Sequence, residues 1–284
     1  MPRERFGDGH TFLPKRALLT FEEIEKFVTA CIPIGLRKVR ITGGEPLLRP
    51  NLHELVRMLS ETGVEVALTT NASLLSRHAG SLADSGLDRV TVSLDALDPT
   101  IHSRMADCTV PVDVVLAGIQ SALENNLGPV KVNCVVQKGV NESEVAGLVR
   151  HFRGSAVTVR FIEYMDVGRT NGWIPSQVVE SSILLAELRE EFDLIPVEPQ
   201  SPSDVATRWA HSDGSGEIGF ISSVSEPFCG DCVRARLSAD GHLFTCLFAS
   251  GGHDLRAIIH GDSDIQEITD AVSAVWARRT DRYS

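Results

Sequence analysis

The chain has 284 residues, a formal net charge of −11 at pH 7 and a sequence pI near 5.3. This acidic balance gives the surface no general attraction for nucleic acid or anionic membrane, so we expect neither as a partner. No apolar run approaches the roughly 18–20 residues that a membrane span needs, and we expect no signal peptide in the polar start MPRERFGDGH. We therefore expect a cytoplasmic protein in which an anionic substrate needs a local basic pocket.

The first two thirds of the chain alternate helical patterns with short β-runs. Thr20 followed by Glu23 forms a capping box, which predicts a helix start. Strands are predicted at 38–42, 65–70, 89–94, 130–136 and 158–165, with helices near 51–62, 74–85, 112–125 and after 141. The runs are nearly continuously apolar, as in parallel strands covered on both faces. The pattern predicts an α/β fold, an incomplete parallel βα barrel with its chemistry at the carboxyl ends of the strands.

Beyond residue 168 the pattern changes. A helix is predicted near 176–192, a Pro/Ser-rich connector at 196–204, then short strands and a last helix near 265–277. We expect a barrel domain at 1–168 and a smaller cysteine-containing domain at 169–284.

A cysteine motif, Cys229-x2-Cys232-x13-Cys246, is the strongest local signal. Cysteines spaced in this way hold a metal when the third returns from a neighbouring strand, and 239–241 looks like the turn that brings it back. Spacing alone leaves two interpretations open. One is a structural zinc site with His242 or His253 as fourth ligand, and the other is a 4Fe-4S cluster with one open iron. The isolated Cys31, Cys108 and Cys134 are expected to be buried small apolar residues.

Basic residues supply the local pocket. Arg234 and Arg236 follow the cysteine pair at alternate positions, so on a strand they would share one face, which suits a polyphosphate. Arg40 and Lys131 lie within apolar runs, where a charge needs a partner or a ligand. For all of them a solvated surface position is the alternative.

Polar residues and glycines at predicted strand ends are candidate ligand contacts. Gly43-Gly44-Glu45-Pro46 directly follows a strand, so its backbone can approach a ligand closely and its carboxylate can accept from an ammonium group. Asn71 and Ser93 lie at two further strand ends, where polar side chains orient ligands or simply cap the chain.

Several segments together resemble the GTP 3′,8-cyclase family (molybdenum cofactor biosynthesis protein A) of the radical S-adenosylmethionine superfamily. They are VRITGGEPLLRPNL, LTTNASLL, VTVSLDALDP, VKVNCVVQKGVN, VRFIEYMDVGRTNGW and IGFISSVSEPFCGDCVRARLSADGHLFTCLF. The resemblance extends over essentially the whole chain and favours iron–sulfur over zinc. It implies a lyase that cyclises GTP to 3′,8-cyclo-7,8-dihydro-GTP with S-adenosylmethionine, the first step of molybdenum cofactor biosynthesis.

The resemblance also implies roles for individual residues. The S-adenosylmethionine site would comprise Gly44, Ser93 and Met165. The GTP site would comprise Arg40, Thr70, Lys131, Arg234, Ala235 and Arg236. The C-terminal 4Fe-4S cluster would be held by Cys229, Cys232 and Cys246, and its product would pass to cyclic pyranopterin monophosphate synthase, with a homodimer left open.

The family's CxxxCxxC, which holds a second, reductive cluster, does not occur in the 284 residues. We expect it to be encoded directly upstream of Met1, and a Gly-Gly tail beyond Ser284. The reductive cysteines are the family's reactive centre, so no catalytic residue is assigned here. Two alternatives remain at this point: an inactive paralogue that keeps one cluster and nucleotide binding, and a peptide-modifying radical enzyme.

Overall fold

The computed structural model describes residues 13–166, 172–199, 201, 204–227, 232–249 and 251–279. The helices are α1 (Phe21–Cys31), α2 (Leu52–Glu61), α3 (Leu75–Asp84), α4 (Pro99–Ala106), α5 (Val112–Glu124), α6 (Val145–Phe152), α7 (Ser181–Glu191), α8 (Arg256–His260) and α9 (Ile265–Ala277). The strands are β1 (Lys38–Ile41), β2 (Glu65–Thr70), β3 (Arg89–Ser93), β4 (Val130–Val136), β5 (Val157–Glu163), β6 (Leu194–Val197), β7 (Thr207–His211), β8 (Glu217–Ile221), β9 (Arg236–Leu237), β10 (His242–Phe244) and β11 (His253–Asp254).

An eight-stranded sheet forms the centre of the fold, in the order β1-β2-β3-β4-β5-β8-β7-β6. Strands β1 to β5 and β8 run parallel, whereas β7 and β6 are antiparallel to their neighbours. Helices connect the parallel strands, as the incomplete βα barrel requires. The predicted fold class is therefore confirmed.

The two faces of the sheet differ in burial. Residues 130, 132, 134 and 136 of β4 are fully buried and pack with the helices, and residues 157, 159, 161 and 163 of β5 behave in the same way. The intervening side chains are only half-buried and lie on the opposite, open face. The prediction of strands covered on both faces was wrong for β4 and β5, since the open face keeps polar and charged side chains accessible.

A second, smaller core joins the C-terminal part to the beginning of the chain. Its buried residues are Leu19, Phe27, Ala30, Cys31, Leu243, Leu255, Ile259, Ile268 and Val272. Helix α1 begins at the predicted capping box, in which Thr20 and Glu23 cap each other reciprocally. Because α1 contributes residues to this core and also packs on α2, it links the barrel to α9 and to the small sheet β11-β10-β9.

Some local predictions needed correction. Helix α4 was not predicted, although Asp98 caps it by accepting from the N–H groups of Thr100 and Ile101. Helix α7 starts at Ser181, because a separate 3₁₀ turn occupies Pro175–Gln177. Strands β6 to β8 extend the main sheet past residue 168, and the proposed domain boundary there stays a prediction. None of the helices in the described residues has the length and apolar character that a membrane crossing requires.

Candidate active site

A basic face occupies the open side of the parallel strands. It consists of Lys38 and Arg40 of β1, Arg89 of β3, Lys131 of β4 and Arg160 of β5. The register places them together: Arg40 and Arg89 both align with residue 67 of β2, and Lys131 aligns with residue 91 of β3. Every second residue of a strand points to the same side, so these cations converge on one surface. Sequence reasoning had singled out only Arg40 and Lys131.

One carboxylate compensates part of this charge. A single oxygen of Glu65, Oε1, lies 3.0 Å from Lys38 Nζ and 2.7 Å from Arg89 Nε. Arg40 instead donates from Nη1 to the hydroxyls of Thr69 and Thr91, both at 3.0 Å. Neutral hydroxyls orient the guanidinium without cancelling its charge.

Arg160 and Lys131 are likewise uncompensated. The Nε of Arg160 donates to the amide oxygen of Asn133 at 2.9 Å. Among the residues that the structure describes, no carboxylate lies within ion-pair distance of Arg40, Lys131 or Arg160. A protein seldom leaves so many crowded cations unpaired unless an anion binds there.

Burial and the close spacing of these cations lower the pKa values of Lys131 and Arg160. Burial, together with the positive charges of Arg160, Arg89, Lys38 and Arg40, lowers the pKa of Lys131 to about 8. Burial and the nearby Arg40 lower the pKa of Arg160 to about 10. A polyanion on this face would relieve the repulsion and favour the protonated form of Lys131.

Thr70 lies on the face of β2 opposite to the basic face. It is buried on the helix side of β2, where its hydroxyl donates to Glu45 Oε1 at 2.7 Å and accepts from the N–H of Ala72 at 3.0 Å. Its neighbour Thr69 is the threonine of β2 that lies on the basic face, in contact with Arg40. A direct contact of Thr70 with GTP stays a prediction, and the geometry gives Thr70 an additional role in holding Glu45.

Glu45 joins the loop after β1 to the end of β2. Its Oε1 also accepts from the N–H of Leu47 at 3.0 Å, and its Oε2 accepts from the N–H of Asn71 at 2.8 Å. The carboxylate was expected to accept from a ligand's ammonium group. Two protein donors bind Oε1 and one binds Oε2, so Oε2 can accept a further donor and this contact stays a prediction. Gly44 remains open, since a Cβ built there would meet no protein atom within 4 Å.

The three residues predicted to bind S-adenosylmethionine lie at the carboxyl ends of alternate strands. Gly44 follows β1, exposed Ser93 ends β3 and aligns with Asn133 of β4, and half-buried Met165 follows β5. They therefore share the edge of the sheet where ligands of βα barrels bind.

The loop after β3 is fixed by residues that the sequence analysis did not identify. Asn141 is fully buried and donates from Nδ2 to the carbonyls of Asp95 and Val135, at 2.8 and 2.9 Å. Asp95 Oδ1 accepts from the N–H of Val135 at 2.8 Å, and burial raises the pKa of Asp95 to about 6. Glu144 accepts from the N–H groups of residues 97 and 98. These bonds fix the loop that directly follows Ser93. In the sequence, the residue that could have indicated this network is Asn141, the last residue of the VKVNCVVQKGVN segment.

The cysteine hairpin is partly described. Cys232 and Cys246 are both half-buried, whereas Cys229 lies outside the described residues. Strands β9 and β10 pair antiparallel and are connected by a turn at residues 238–241, as predicted. Gly241 has a φ of +88° there, a backbone conformation that favours glycine. His242, one candidate zinc ligand, contacts Asp240 at 3.3 Å.

Both described cysteine sulfurs accept hydrogen bonds. Arg234 Nε lies 3.3 Å from Cys232 Sγ, and the N–H of Phe248 lies 3.4 Å from Cys246 Sγ. Burial raises the pKa of the Cys232 thiol, but hydrogen bonds from Arg234 and Arg279 outweigh burial, so this pKa lies below its ordinary value. A depressed pKa favours the thiolate, which is the form that binds metal.

The arginines beside the hairpin were expected to share a strand face. Only Arg236 lies in a strand, β9, whereas Arg234 and exposed Ala235 precede it. Arg236 nevertheless interacts electrostatically with its neighbours: burial and Arg234 lower its pKa, while the sulfurs of Cys232 and Cys246 raise it. Arginines and cysteines therefore form one cluster.

Comparison with known proteins finds a matching family for each half of the chain. Residues 5–152 match the Radical SAM superfamily profile, and residues 157–284 match the Molybdenum Cofactor Synthesis C profile. A GTP 3′,8-cyclase of Acidothermus cellulolyticus is 49% identical over 290 residues, which cover 100% of this chain and 80% of the relative. GTP 3′,8-cyclases of Xanthomonas campestris pv. campestris and Staphylococcus aureus are 48% and 42% identical, each over 100% of this chain and 84% of the relative.

The chain belongs to the GTP 3′,8-cyclase family. The resemblance identified from sequence motifs is thereby confirmed. The fold of this chain also resembles a solved structure of a protein bound to S-adenosylmethionine. Streptococcus suis SuiB bound to S-adenosylmethionine superposes with a TM-score of 0.59 at 15% identity, covering 88% of this chain and 61% of that chain. At this identity the similarity shows the shared fold alone.

Family membership implies an iron–sulfur cluster and S-adenosylmethionine. The described residues provide two of the three predicted cluster thiols and the open loop at Gly44. Thiols that receive N–H hydrogen bonds from Arg234 and Phe248 are the donor set that iron–sulfur clusters use. The open space at Gly44, beside exposed Ser93, suits the close approach of a ligand to the backbone.

Proposed function

We propose that the chain cyclises GTP to 3′,8-cyclo-7,8-dihydro-GTP with S-adenosylmethionine, the first step of molybdenum cofactor biosynthesis. The observation that carries this proposal is the set of uncompensated cations, Arg40, Lys131 and Arg160, on the open face of a radical S-adenosylmethionine barrel. The names of relatives at 42–49% identity support the same substrate.

The basic face would bind the triphosphate. Arg40 is oriented by Thr69 and Thr91, and Arg160 by Asn133, so their guanidinium groups are ordered before substrate arrives. Ordered donors lose little entropy on binding, and guanidinium groups match phosphate oxygens in pairs. Lys131 would add a positive charge that strengthens when the phosphates approach.

S-adenosylmethionine would lie at the carboxyl edge of the barrel, against Gly44, Ser93 and Met165. When bound, together with a reductive cluster, it supplies the radical that starts the reaction on the ribose. The protein's part is to hold the cofactor and the ribose in register and to exclude water. The clamp on Glu45 by Thr70 and Asn71 supports this by fixing the loop that contains Gly44.

The cysteine hairpin would hold a 4Fe-4S cluster through Cys229, Cys232 and Cys246, with one iron open toward the guanine base. Arg234, Ala235 and Arg236 would face the nucleotide from the same segment. The chemistry would take place in the cytoplasm, a homodimer is consistent with the family, and the product would pass to cyclic pyranopterin monophosphate synthase.

Binding of GTP to the anaerobically reconstituted 284-residue chain tests the proposal. We expect GTP to bind and ATP to bind at least tenfold more weakly, because the open iron would recognise the guanine base. The measurement is isothermal titration calorimetry with each nucleotide. Equal affinity for GTP and ATP, or no binding of either, would overturn the proposed substrate.

A further inference from the structure

The end of the last helix contacts the cysteine hairpin. Arg279, two residues beyond α9, donates from Nη1 to the backbone carbonyl of Cys232 at 2.5 Å. The Arg279 guanidinium carbon also lies 4.9 Å from the ring centroid of Trp276, so the aromatic side chain of the preceding turn orients it. A cation from a distant part of the sequence thus holds the backbone of a predicted cluster ligand.

Helix α9 is firmly anchored, which makes this contact well defined. Its start is fixed by a reciprocal capping box between Asp264 and Glu267. Thr269 is buried and donates its hydroxyl to the carbonyl of Ala30 in α1 at 2.8 Å. Ile268 is fully buried in the second core. The position of Arg279 is therefore set by packing between α9 and α1.

Cys232 is consequently held from two directions. Arg279 binds its carbonyl, while Arg234 donates to its sulfur at 3.3 Å. The two arginines come from segments that are distant in sequence, and they contact different atoms of the same residue. Fixing the carbonyl restrains the peptide, and with it the direction of the Cα–Cβ bond that presents the sulfur.

We propose that Arg279 is a positioning residue for the iron–sulfur cluster, which holds the Cys232 thiolate in its ligating orientation and places a positive charge beside the cluster. The inference rests on the proposed function, because it assumes that Cys232 is a ligand of the cluster. Partners that orient metal ligands contribute strongly to metal affinity, and nearby charge shifts the reduction potential of a cluster. Arg279 itself contacts neither iron nor substrate in this scheme.

The consecutive residues Arg278 and Arg279 provide a matched pair of variants. Arg279→Gln removes the contact and one charge, whereas Arg278→Gln removes the same charge from an exposed side chain. Each variant of the 284-residue chain is reconstituted anaerobically, and the rate of iron loss to a chelator is followed by absorbance. We expect Arg279→Gln to lose iron about tenfold faster than the parent, in line with the usual cost of removing an orienting partner. Arg278→Gln should match the parent.

A redox titration followed by electron paramagnetic resonance provides the second readout. We expect a lower midpoint potential in Arg279→Gln and a potential near that of the parent in Arg279→Lys, which keeps the charge. Equal iron retention and equal potential in Arg279→Gln and Arg278→Gln would overturn the inference. If Arg279→Gln does not fold, as judged by circular dichroism, Arg279→Lys is tested in the same chelator assay. Because lysine lacks the guanidinium geometry, we expect it to lose iron faster than the parent, and a rate equal to that of the parent would overturn the inference. Stoichiometric zinc in the parent would instead refute the cluster itself, before any variant is made.

Discussion

Glu163 and Ser225 are joined twice: Oε2 of the carboxylate accepts the backbone N–H of Ser225 at 2.8 Å, and Oε1 accepts its hydroxyl at 2.6 Å. The same carboxylate accepts from the N–H and hydroxyl of Ser181 and from the N–H of Val224. Burial raises the pKa of Glu163, but these hydrogen bonds outweigh burial and the pKa is lowered overall. An ionised, buried carboxylate therefore ties the end of β5 to the start of α7 and to the segment that leads to Cys229.

Replacing this carboxylate should destabilise the fold. Glu163→Gln keeps one acceptor oxygen but turns an NH₂ group toward N–H and O–H donors. We expect the free energy of unfolding to fall by about 1.5–3 kcal/mol, the usual range for hydrogen bonds to a charged group. Urea unfolding at pH 7 measures it, with Glu191→Gln, which removes an exposed ion pair with Arg150, as the control. An effect no larger than that of Glu191→Gln would contradict the role of Glu163.

The pH dependence of stability follows from the direction of the same pKa shift. Because the folded pKa of Glu163 lies below the ordinary value of 4.5, its contribution is fully present above pH 4.5 and is lost as the pH falls through the folded pKa. Urea midpoints measured from pH 6 downward should therefore fall more steeply for the parent than for Glu163→Gln. Parallel curves would show that the carboxylate is not specifically stabilised in the folded chain.

Lys131 should take up a proton when GTP binds. Its pKa is lowered to about 8, so near pH 8 about half of the free protein has this side chain neutral. The groups around it are the cations Lys38, Arg40, Arg89 and Arg160. Triphosphate on this face would raise the pKa of Lys131, and GTP affinity should fall as the pH rises above 8.

Calorimetric titrations at pH 8 in two buffers of different ionisation enthalpy measure this proton uptake. The parent should take up a fraction of a proton per GTP bound, and Lys131→Met should take up less and bind more weakly. Equal uptake by the parent and by Lys131→Met would assign the proton to another group.

Sequence reasoning found the cations that interrupt apolar runs but not all members of the basic face. Lys131 was identified because a lysine between valines is costly without a ligand, and the same cost applies to Arg160, which lies between Val159 and Phe161 and was not identified. Thr69, which the sequence analysis did not select, shows a different limit. Thr69 and Thr70 are adjacent polar residues at one strand end, and only the pairing of β2 with β1 and the contact with Arg40 show that Thr69 lies on the basic face.

Hydrogen bonds between residues distant in the sequence could not be predicted from the sequence either. Asn141 bonds to a loop 46 residues earlier, and Glu163 bonds to Ser225, 62 residues later. Such pairs follow from the parallel order of the strands, which brings the carboxyl ends of distant segments together. The overall βα pattern was predictable because the alternation of helix and strand is a local property.

Arg160 should contribute to GTP affinity as strongly as the residues found from sequence. Arg160→Gln removes a guanidinium that is oriented by Asn133 and has no carboxylate partner in the described chain. We expect the dissociation constant for GTP to rise about tenfold or more, because a hydrogen bond to a charged group contributes about 1.5–3 kcal/mol. Calorimetry measures it against Arg150→Gln, an arginine on the outer surface that should leave binding unchanged. Identical dissociation constants for these two variants would remove Arg160 from the site.

Glu65 should act in the opposite direction. Its carboxylate neutralises part of the charge of Lys38 and Arg89, so Glu65→Gln makes the basic face more positive. These groups are partly exposed and solvent screens them, so the gain should be modest, about two- to fivefold in GTP affinity at low salt. The gain should shrink as salt is added. Weaker GTP binding in Glu65→Gln, with unchanged circular dichroism, would show that Glu65 supports the site rather than limiting its charge.

The iron content of cysteine variants decides between the two metal sites that the motif allows. Cys246→Ser removes a thiol that receives the N–H of Phe248, whereas Cys108→Ser alters an isolated cysteine far from the hairpin in sequence. We expect the anaerobically reconstituted parent and Cys108→Ser to hold iron and sulfide near four each per chain, as a 4Fe-4S cluster requires. Cys246→Ser should lose most of both, because a cluster that already keeps one iron open tolerates the loss of another thiolate poorly. Iron and sulfide assays with elemental analysis for zinc give the answer. Zinc that is bound by the parent and lost in Cys246→Ser, with no iron in either, would show that the hairpin is a structural zinc site, which leaves no open iron for the guanine base.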